Sequence, residues 1–416
     1  MPLLKAMRHK IMLLLTLLAM SPVLLAQTQD FDRWFTGGTL RLDCLREGSA
    51  QGDTVWVEHW IDRQCDWHGS RTQLLDPFNN GDYRVVVRDA ATGRELYSRG
   101  YSNLFREYKD TPEGRTVRKR FEETLLVPMP KGKVLIAFQK RDKEMRLQDQ
   151  TVVAFDPRRD ALERKPMKEV WEDDVVRKPV SESLDVVFVM QGFEGVPYEK
   201  WVDVIYRMNG VLFGKEPFKS HMDDINTYFV SGDAGVEYNT FGADRYAMTF
   251  KVWQLHDVIG QNPCDHIIIV LNNEKYGGGA IYNFYSVTSL HKMAESVLPH
   301  ELGHGIGGLA DEYVDEDLSY ADLHRTKYEP LEPNITNLVD FGSKWQRMLK
   351  KGTPVPTPEN AKVPRTENGP LGVYEGAGYS SKGVYRPVMH CMMRDYAPFC
   401  PVCRGRLEEV IGLYTK

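Results

Sequence analysis

The chain has 416 residues, of which 42% are hydrophobic and 27% are charged, and its formal net charge at pH 7 is -5. A chain of this length and composition can bury a sizeable core, and its length favours two domains over one. Nucleic-acid-binding proteins usually carry an excess of basic residues on one surface. The negative net charge of this chain gives no indication of such a surface. We therefore expect a globular protein without a nucleic-acid partner.

The first 26 residues have the pattern of a secretory signal peptide. Lys5, Arg8 and Lys10 precede an apolar run over residues 11–18, and Ala26 comes just before a polar segment. This order of a basic, an apolar and a small-residue region is typical of export signals. The apolar run is shorter than the ~20 residues of a membrane-spanning helix. We expect cleavage after Ala26, export to the periplasm or the extracellular space, and no membrane anchor.

Residues 27–156 contain short strand-like segments separated by turn signals. Apolar and polar residues that alternate with a period of two predict half-buried strands, and regularly spaced turns between them favour a β-sandwich. The role of this domain stays open: it could hold substrate, bind a glycan or shield the rest of the chain. The charged, proline-containing residues 157–183 are the predicted linker.

Residues 184–416 predict a domain of the α/β type. Residues 184–190 and 266–271 are apolar except for Asp185 and His266, a pattern typical of strands that are buried on both faces. Between these runs, apolar residues recur with the spacing of one helical face. They are Trp201, Val204, Ile205, Met208 and Leu212.

The most specific motif is His300-Glu301-Leu302-Gly303-His304. Residues four apart lie on one helical face, so the two imidazoles can bind one Zn²⁺ ion while Glu301 stands beside the remaining coordination position. A catalytic zinc has three protein ligands and a water, and it lowers the pKa of that water to roughly 7. Glu301 would accept the proton of this water as the general base. The motif predicts a hydrolytic zinc centre.

The third zinc ligand is expected shortly after this helix. We expect the helix to start near Ser296, with Pro299 in its first turn, and to end in a glycine pair whose second member is Gly308. In metzincin-type zincins, which this segment resembles, the third ligand follows the turn glycine by three residues. That spacing implies Asp311 as the third ligand. Glu312 is the rival.

A methionine-containing segment, residues 387–394, follows where a metzincin-like fold would place a methionine turn beneath the metal. The alternative is that its methionines only fill a gap in the core. His390 in this segment could compete as a zinc ligand or make local hydrogen bonds. Among the tyrosines of the chain, Tyr396 is our candidate donor of a hydrogen bond to the oxyanion.

Further short segments accompany the zinc motif, at residues 308–313, 332–336, 375–379, 385–387 and 399–403, and upstream at 185–188, 224–226 and 241–243. Together they resemble the IgA-peptidase family of zinc metallopeptidases. The resemblance implies a secreted endopeptidase with a metzincin-like catalytic domain, a β-rich domain in front and a protein or peptide substrate. It does not imply that the substrate is IgA. It also implies that residues 272–279 form a rim where substrate binds as an added strand, with a flexible hairpin tip as the alternative.

Six cysteines in an exported chain favour disulfides. Cys44 and Cys65 are expected to pair with each other. The remaining four allow three connectivities. The Cys-x-x-Cys pair among them could instead belong to a second, structural zinc site with the other two. These four are Cys264, Cys391, Cys400 and Cys403.

The expected fold class is therefore α+β, with a β-sandwich in front of a zincin-like α/β domain. Two functions compete: a secreted zinc endopeptidase, and a non-enzymatic exported binding protein with a structural zinc and a ligand-binding β-domain. Glu301 favours the first, because a structural site needs no base and usually fills its fourth position with another protein ligand. The cleavage preference and the oligomeric state stay open.

Overall fold

The computed structural model describes residues 31–166, 174–315, 327–360 and 362–415. The predicted signal peptide lies outside these residues, as does part of the predicted linker at 157–183. In the described ranges, no helix combines the length and the apolar character that crossing a membrane requires. The expected α+β class is confirmed at the level of mixed helices and sheets.

The described ranges hold sixteen strands and seven α-helices. The strands are β1 (Phe35–Ser49), β2 (Gly52–Asp66), β3 (Tyr83–Asp89), β4 (Glu95–Tyr101), β5 (Lys119–Pro130), β6 (Val134–Arg141), β7 (Leu147–Phe155), β8 (Leu184–Gln191), β9 (Ile225–Ser231), β10 (Val236–Glu237), β11 (Met248–Thr249), β12 (His266–Leu271), β13 (Gly279–Ile281), β14 (Tyr285–Ser289), β15 (Tyr374–Ala377) and β16 (Ser380–Arg386). The helices are α1 (Phe31–Trp34), α2 (Leu104–Tyr108), α3 (Tyr198–Phe213), α4 (Val252–Ile259), α5 (Ala294–Gly305), α6 (Met392–Asp395) and α7 (Pro401–Tyr414).

The N-terminal half is built from two antiparallel sheets. Strand β1 lies between β2 and β5, and the second sheet has the order β4-β3-β6-β7. Because side chains alternate along a strand, every second residue can point into a core. Leu40 and Leu42 of β1 do so, and they share one hydrophobic cluster with Val85 and Val87 of β3.

The second half is organised around a five-stranded sheet of order β13-β14-β12-β8-β9. Four of these strands are parallel, and β13 pairs antiparallel with β14 at the edge. Helix α3 connects the parallel neighbours β8 and β9, as parallel pairing requires a long crossover. Both predicted buried strands are present as β8 and β12, and every residue of β12 is buried.

The two faces of this sheet contact different parts of the molecule. Val187 and Val189 of β8 belong to the same cluster as Leu40 and Leu42 of β1 and the apolar residues of α4, so helix α4 and the N-terminal half together cover one face. Alternate residues of the same strands point the other way and pack against helices α3, α5 and α7. The two halves therefore share a core, and the predicted domain boundaries stay a prediction.

The expected disulfide between Cys44 and Cys65 is wrong for this structure, in which all six cysteines are free. In the β1–β2 ladder, Cys44 lies opposite Val57, whereas Cys65 lies beside Asp66, which pairs with Gly38 at the other end. A disulfide requires Cα atoms within about 7 Å. The register of two long strands, which the sequence does not display, keeps these thiols apart.

Candidate metal centre

Helix α5 carries the histidine motif. It begins at Ala294, slightly before the predicted start, because the N–H groups of Ser296 and Val297 already donate to Met293 O. Pro299 therefore lies inside the helix rather than in its first turn, and its missing N–H leaves the helical ladder one bond short. Burial of the apolar side of α5 in the core compensates for this loss.

The chain reverses direction after α5 at Gly308. The Gly308 N–H donates to His304 O at 3.0 Å, and its φ of +58° lies in the left-handed region that favours glycine. A Cβ at this position would lie 2.0 Å from Asn80 Nδ2. This turn returns the chain to the motif, so that Asp311 reaches the imidazoles.

Three donor atoms converge on one point. His300 Nε2 and His304 Nε2 are 3.2 Å apart, and Asp311 Oδ1 lies 3.1 Å from the first and 3.3 Å from the second. Nitrogen and oxygen ligands about 2.0–2.1 Å from a tetrahedral zinc lie roughly 3.3 Å from one another. The three separations therefore fit three corners of a zinc coordination tetrahedron.

The other nitrogen of each imidazole is fixed by a backbone carbonyl. His300 Nδ1 donates to Met392 O at 2.9 Å, and His304 Nδ1 donates to Leu309 O at 2.7 Å. Because a carbonyl only accepts, both Nδ1 atoms carry a proton, and the Nε2 atoms of neutral rings offer lone pairs. Two lone pairs 3.2 Å apart repel each other unless a proton or a metal ion lies between them. The histidine pair is therefore suited to a cation.

Asp311 is held through one carboxylate oxygen and directs the other to the shared point. It is 6% exposed, and the Tyr379 hydroxyl donates to its Oδ2. Oδ1 is buried, and no described residue donates a well-oriented hydrogen bond to it. A buried carboxylate oxygen is costly unless positive charge compensates it, which at this point either protonated imidazoles or a metal ion can supply. Its chemistry thus fits a metal ligand.

The charges of these three residues depend on one another. Although burial disfavours a charged imidazole, Asp311 raises the pKa of both histidines, that of His304 to about 9. Against the effect of burial, the two imidazoles hold the pKa of Asp311 well below its ordinary value. The metal-free site therefore takes up protons at neutral pH, and a divalent cation would displace them.

Glu301 lines a cavity of about 890 Å³ that also contains the three donor residues. Burial raises the pKa of its carboxyl group, against the attraction of the neighbouring imidazoles. A raised pKa brings a carboxylate closer to the range of an effective general base at neutral pH. Gly278 leaves room for Glu301, because a Cβ there would lie 3.2 Å from Glu301 Oε1 and 2.9 Å from Val297 Cγ1.

The methionine segment, residues 387–394, lies against the motif helix. Met393 is fully buried, and its Sδ would lie 2.4 Å from a Cβ placed on Gly303. The glycine between the two histidines therefore makes room for this methionine. His390 does not join the three donor atoms: its Nδ1 bonds to Asp395 and its Nε2 lies 3.3 Å from Val363 O.

Tyr396 lines the cavity next to His300. The two rings meet edge to face with centroids 5.6 Å apart, and the Tyr396 hydroxyl lies 2.9 Å from the Tyr276 hydroxyl. Burial raises the pKa of the Tyr396 phenol. The hydroxyl therefore keeps its proton at neutral pH and can donate a hydrogen bond into the cavity.

Glu312, the rival third ligand, contacts a different group of residues. Its Oε1 accepts a hydrogen bond from Asn334 Nδ2 at 2.9 Å and lies 3.3 Å from Cys403 Sγ. Asn334 is fully buried, and its side-chain amide also bonds the backbone N–H and C=O of Ala310. The structure thus brings Asp311, and not Glu312, to the imidazoles.

The N-terminal half forms one wall of the same cavity, which the sequence analysis missed. Arg106 and Glu107 of α2 line it, opposite residues of the second half such as Arg245. Burial raises the pKa of Glu107 to about 7, and the Tyr246 hydroxyl donates to its carboxylate at 2.8 Å. No motif marks these residues, because their place in the site depends on how the two halves pack.

The glycine-rich segment 272–279 leads from the central strand β12 to the edge strand β13. Its last four residues line the cavity, as do Ala280 and Ile281 of β13. The backbone groups of Gly278 are not free to pair with a peptide. Gly278 N donates to Arg245 O, and Gly278 O accepts from Ala247 N. The edge next to the cavity is therefore β13 itself.

Two family models match the chain. Residues 30–151 match a model described as Peptidase M64 N-terminus, and residues 175–370 and 361–411 match a model described as IgA Peptidase M64. A comparison of the chain with curated proteins found no match. The second model covers more than half of the chain, including the histidine motif, Asp311 and the methionine segment.

Proposed function

This chain belongs to the IgA Peptidase M64 family, and on that premise we propose that it is a secreted zinc endopeptidase. Its substrate is then a protein or a peptide. His300, His304 and Asp311 would hold the zinc, and Glu301 would act as the general base. One observation carries the proposal: the three donor atoms lie 3.1 to 3.3 Å from one another beside the cavity that Glu301 lines.

The chemistry divides between the metal and the protein. Zinc, when bound, supplies a Lewis acid that polarises the scissile carbonyl and makes water a better nucleophile. Glu301 accepts a proton from the attacking water and passes it to the departing amine. Its raised pKa suits both transfers, since the same carboxyl group must first take up the proton and then release it.

Tyr396 is our candidate for stabilising the oxyanion. Its protonated hydroxyl opens to the cavity beside His300 and is positioned by the Tyr276 hydroxyl. A donor that is already oriented stabilises the negative charge that develops on the carbonyl oxygen in the transition state. A Tyr396→Phe substitution would remove that donor and keep the ring.

The substrate backbone has a place to bind along β13. This strand ends the five-stranded sheet and lines the cavity, and an edge strand can pair with an extended peptide. A peptide bound there would be held through its main chain, with side-chain preferences set by the cavity walls. The proposed substrate-binding edge is therefore residues 279–281, which overlap the rim expected from the sequence, residues 272–279, only at Gly279.

We also propose the finer architecture that the sequence indicates. A β-sandwich in the N-terminal half is supported by the shared cluster of β1 and β3 side chains. A metzincin-like arrangement of the second half is supported by Met393 beneath Gly303. Export and cleavage after Ala26 are proposed from the sequence alone.

The test is a Glu301→Gln substitution. We expect the variant to retain zinc, measured by elemental analysis, and to lose about 10²–10⁴-fold in peptide hydrolysis, the range that a general base contributes. A Glu295→Gln variant in the first turn of the same helix is the matched control and should keep full activity. Undiminished turnover by the Glu301 variant would remove the assigned base.

The competing function, a non-enzymatic binding protein with a structural zinc, is less well supported. A structural site usually closes its fourth position with a protein ligand. Here the three donor atoms lie at a cavity of about 890 Å³ next to a carboxylate with a raised pKa. Screening a diverse peptide library with and without a chelator separates the two functions directly.

A further inference from the structure

A second group of metal-ligating side chains lies apart from the three donors of the catalytic centre. Glu312, Cys391, Cys400 and Cys403, here called the cysteine cluster, are all fully buried. Their ligand atoms lie within 4.8 Å of one another. The mechanism proposed above uses none of these four residues.

The spacing within the cysteine cluster is that of a tetrahedral metal site. Cys391 Sγ and Cys403 Sγ are 3.7 Å apart, and Cys403 Sγ lies 3.3 Å from Glu312 Oε1. Two thiolate sulfurs about 2.3 Å from a tetrahedral zinc lie roughly 3.8 Å apart, and a sulfur and a carboxylate oxygen roughly 3.5 Å apart. One ion can therefore contact these atoms without a large movement of the chain.

One carboxylate oxygen of Glu312 lacks a hydrogen-bond partner within the described ranges. Glu312 Oε1 is bonded by Asn334, but Oε2 is buried and receives no hydrogen bond from any residue in the described ranges. Leaving a buried carboxylate oxygen without a partner carries a large desolvation cost. A bound cation would remove that cost.

The backbone offers hydrogen-bond donors to two of the three sulfur atoms in the cluster. Cys400 is the N-cap residue of the 14-residue helix α7, where the helix dipole stabilises negative charge. Cys400 N lies 3.4 Å from Cys391 Sγ, and Cys403 N lies 3.5 Å from Cys400 Sγ, each within reach of a hydrogen bond to sulfur. The thiolate is the form of cysteine that binds metal.

We propose that Glu312, Cys391, Cys400 and Cys403 form a second, structural site for zinc or a similar thiophilic divalent cation. All four coordination positions are then filled by protein, as is typical of structural zinc sites. The ion would tie α6, α7 and the segment around Glu312 together. Cys264 takes no part, because it lines a separate small cavity with His256.

The position of Glu312 links this site to the catalytic centre. Asp311 precedes it in the chain and supplies Oδ1 to the histidine pair, while the Glu312 N–H donates to Met393 O at 2.7 Å. An ion bound to Glu312 would therefore fix the residue next to Asp311 and the segment beneath helix α5. Its loss should loosen the third ligand of the catalytic centre as well.

The test begins with metal content and Co²⁺ spectroscopy on the full chain, purified without chelators. We expect two metal ions per chain, and after Co²⁺ exchange a strong near-ultraviolet absorption band, which arises from charge transfer between thiolate and cobalt. One ion per chain without this band would overturn the proposal. Mass spectrometry that finds a disulfide among Cys391, Cys400 and Cys403 would do so too.

Variants distinguish this proposal from the proposed peptidase function. A His300→Ala/His304→Ala variant should keep one ion and the thiolate–cobalt band. A Cys400→Ser/Cys403→Ser variant should lose the band and one ion, and a Cys65→Ser control should keep both ions. If the double cysteine variant does not fold, the band in the histidine variant still decides, because only the cysteine cluster can produce it there.

Discussion

The proposed catalytic centre, formed by His300, His304 and Asp311, and the cysteine cluster differ in the features that separate a reactive metal site from a structural one. The first combines three donor residues with a cavity of about 890 Å³ and with Glu301 at its wall. The second combines four donor residues that are all fully buried. Catalytic zinc sites keep one position open and structural sites do not. The number of protein ligands and the access of solvent to the metal position therefore distinguish a catalytic site from a structural one, whereas the ability to bind a metal does not.

The two groups meet in neighbouring residues. Asp311 contacts the imidazoles, and Glu312 contacts Cys403 and Asn334. Asn334 also holds both backbone groups of Ala310, so one buried amide positions the whole segment between the two groups. A change in one site should therefore be felt, more weakly, in the other.

The largest expected effect is a difference between substitutions at Asp311 and at Glu312, which should each remove a different metal ion. An Asp311→Asn variant should lose the catalytic metal and reduce peptide hydrolysis by more than about 100-fold, because removing even a residue that only supports a ligand costs 10–100-fold. A Glu312→Gln variant should instead lose the ion of the cysteine cluster. Elemental analysis and a peptidase assay measure both variants. Equal loss of catalytic metal in the two would contradict the separation of the sites.

A smaller effect is expected from Tyr379, whose hydroxyl donates to Asp311 Oδ2. A Tyr379→Phe variant should bind the catalytic zinc about 10–100-fold more weakly, the usual cost of removing a partner of a metal ligand. The control is Tyr385→Phe, on the same hairpin as Tyr379. Competition with a chelator of known affinity gives the zinc dissociation constants of the two variants. Unchanged affinity in the Tyr379 variant would show that this hydrogen bond does not orient Asp311.

The pH dependence of metal binding sharpens the comparison further. The pKa of His304 is raised to about 9 by Asp311, so protons compete with the metal below that pH. Zinc affinity at the catalytic centre should rise about tenfold for each pH unit between 7 and 9 from this one proton. Measuring zinc affinity against pH in the Cys400→Ser/Cys403→Ser variant removes the contribution of the cysteine cluster. The readout is the slope with pH and not the absolute affinity, because loss of the cluster ion should also loosen Asp311. An affinity that is flat over this range would contradict the assigned protonation of the imidazole.

The smallest expected effect concerns Gly303, where an added Cβ would meet Met393 Sδ at 2.4 Å. A Gly303→Ala variant should be destabilised by about 1–3 kcal/mol, as is usual for overpacking a core. The matched control is Gly405→Ala in α7, where a Cβ meets nothing within 4 Å and should stabilise the helix by about 0.5–1 kcal/mol. Chemical denaturation measures both changes. A neutral Gly303 variant would mean that Met393 does not pack under the motif.

Local patterns in the sequence predicted the features that depend on local geometry. The largely apolar runs at 184–190 and 266–271 became β8 and β12, because a strand rich in apolar residues can be buried on both faces. The four-residue spacing of His300 and His304 brought both imidazoles to one side of α5. The three-residue interval from Gly308 to Asp311 did the same for the carboxylate.

Features that depend on tertiary packing were not predictable in this way. The pairing of Cys44 with Cys65 was wrong because strand register decides which residues face each other. The place of Glu107 in the cavity wall follows from the packing of the N-terminal half on the second half. Glu312 joined three cysteines that are distant from it in the chain, and no spacing rule connects them.

Anomalous diffraction at the zinc absorption edge, from crystals of the purified protein, tests the central claim most directly. We predict an anomalous peak about 2.0–2.2 Å from His300 Nε2, His304 Nε2 and Asp311 Oδ1, with its fourth side open to the cavity near Glu301. No peak at that point, or a fourth protein ligand that closes the open side, would contradict the proposed peptidase mechanism.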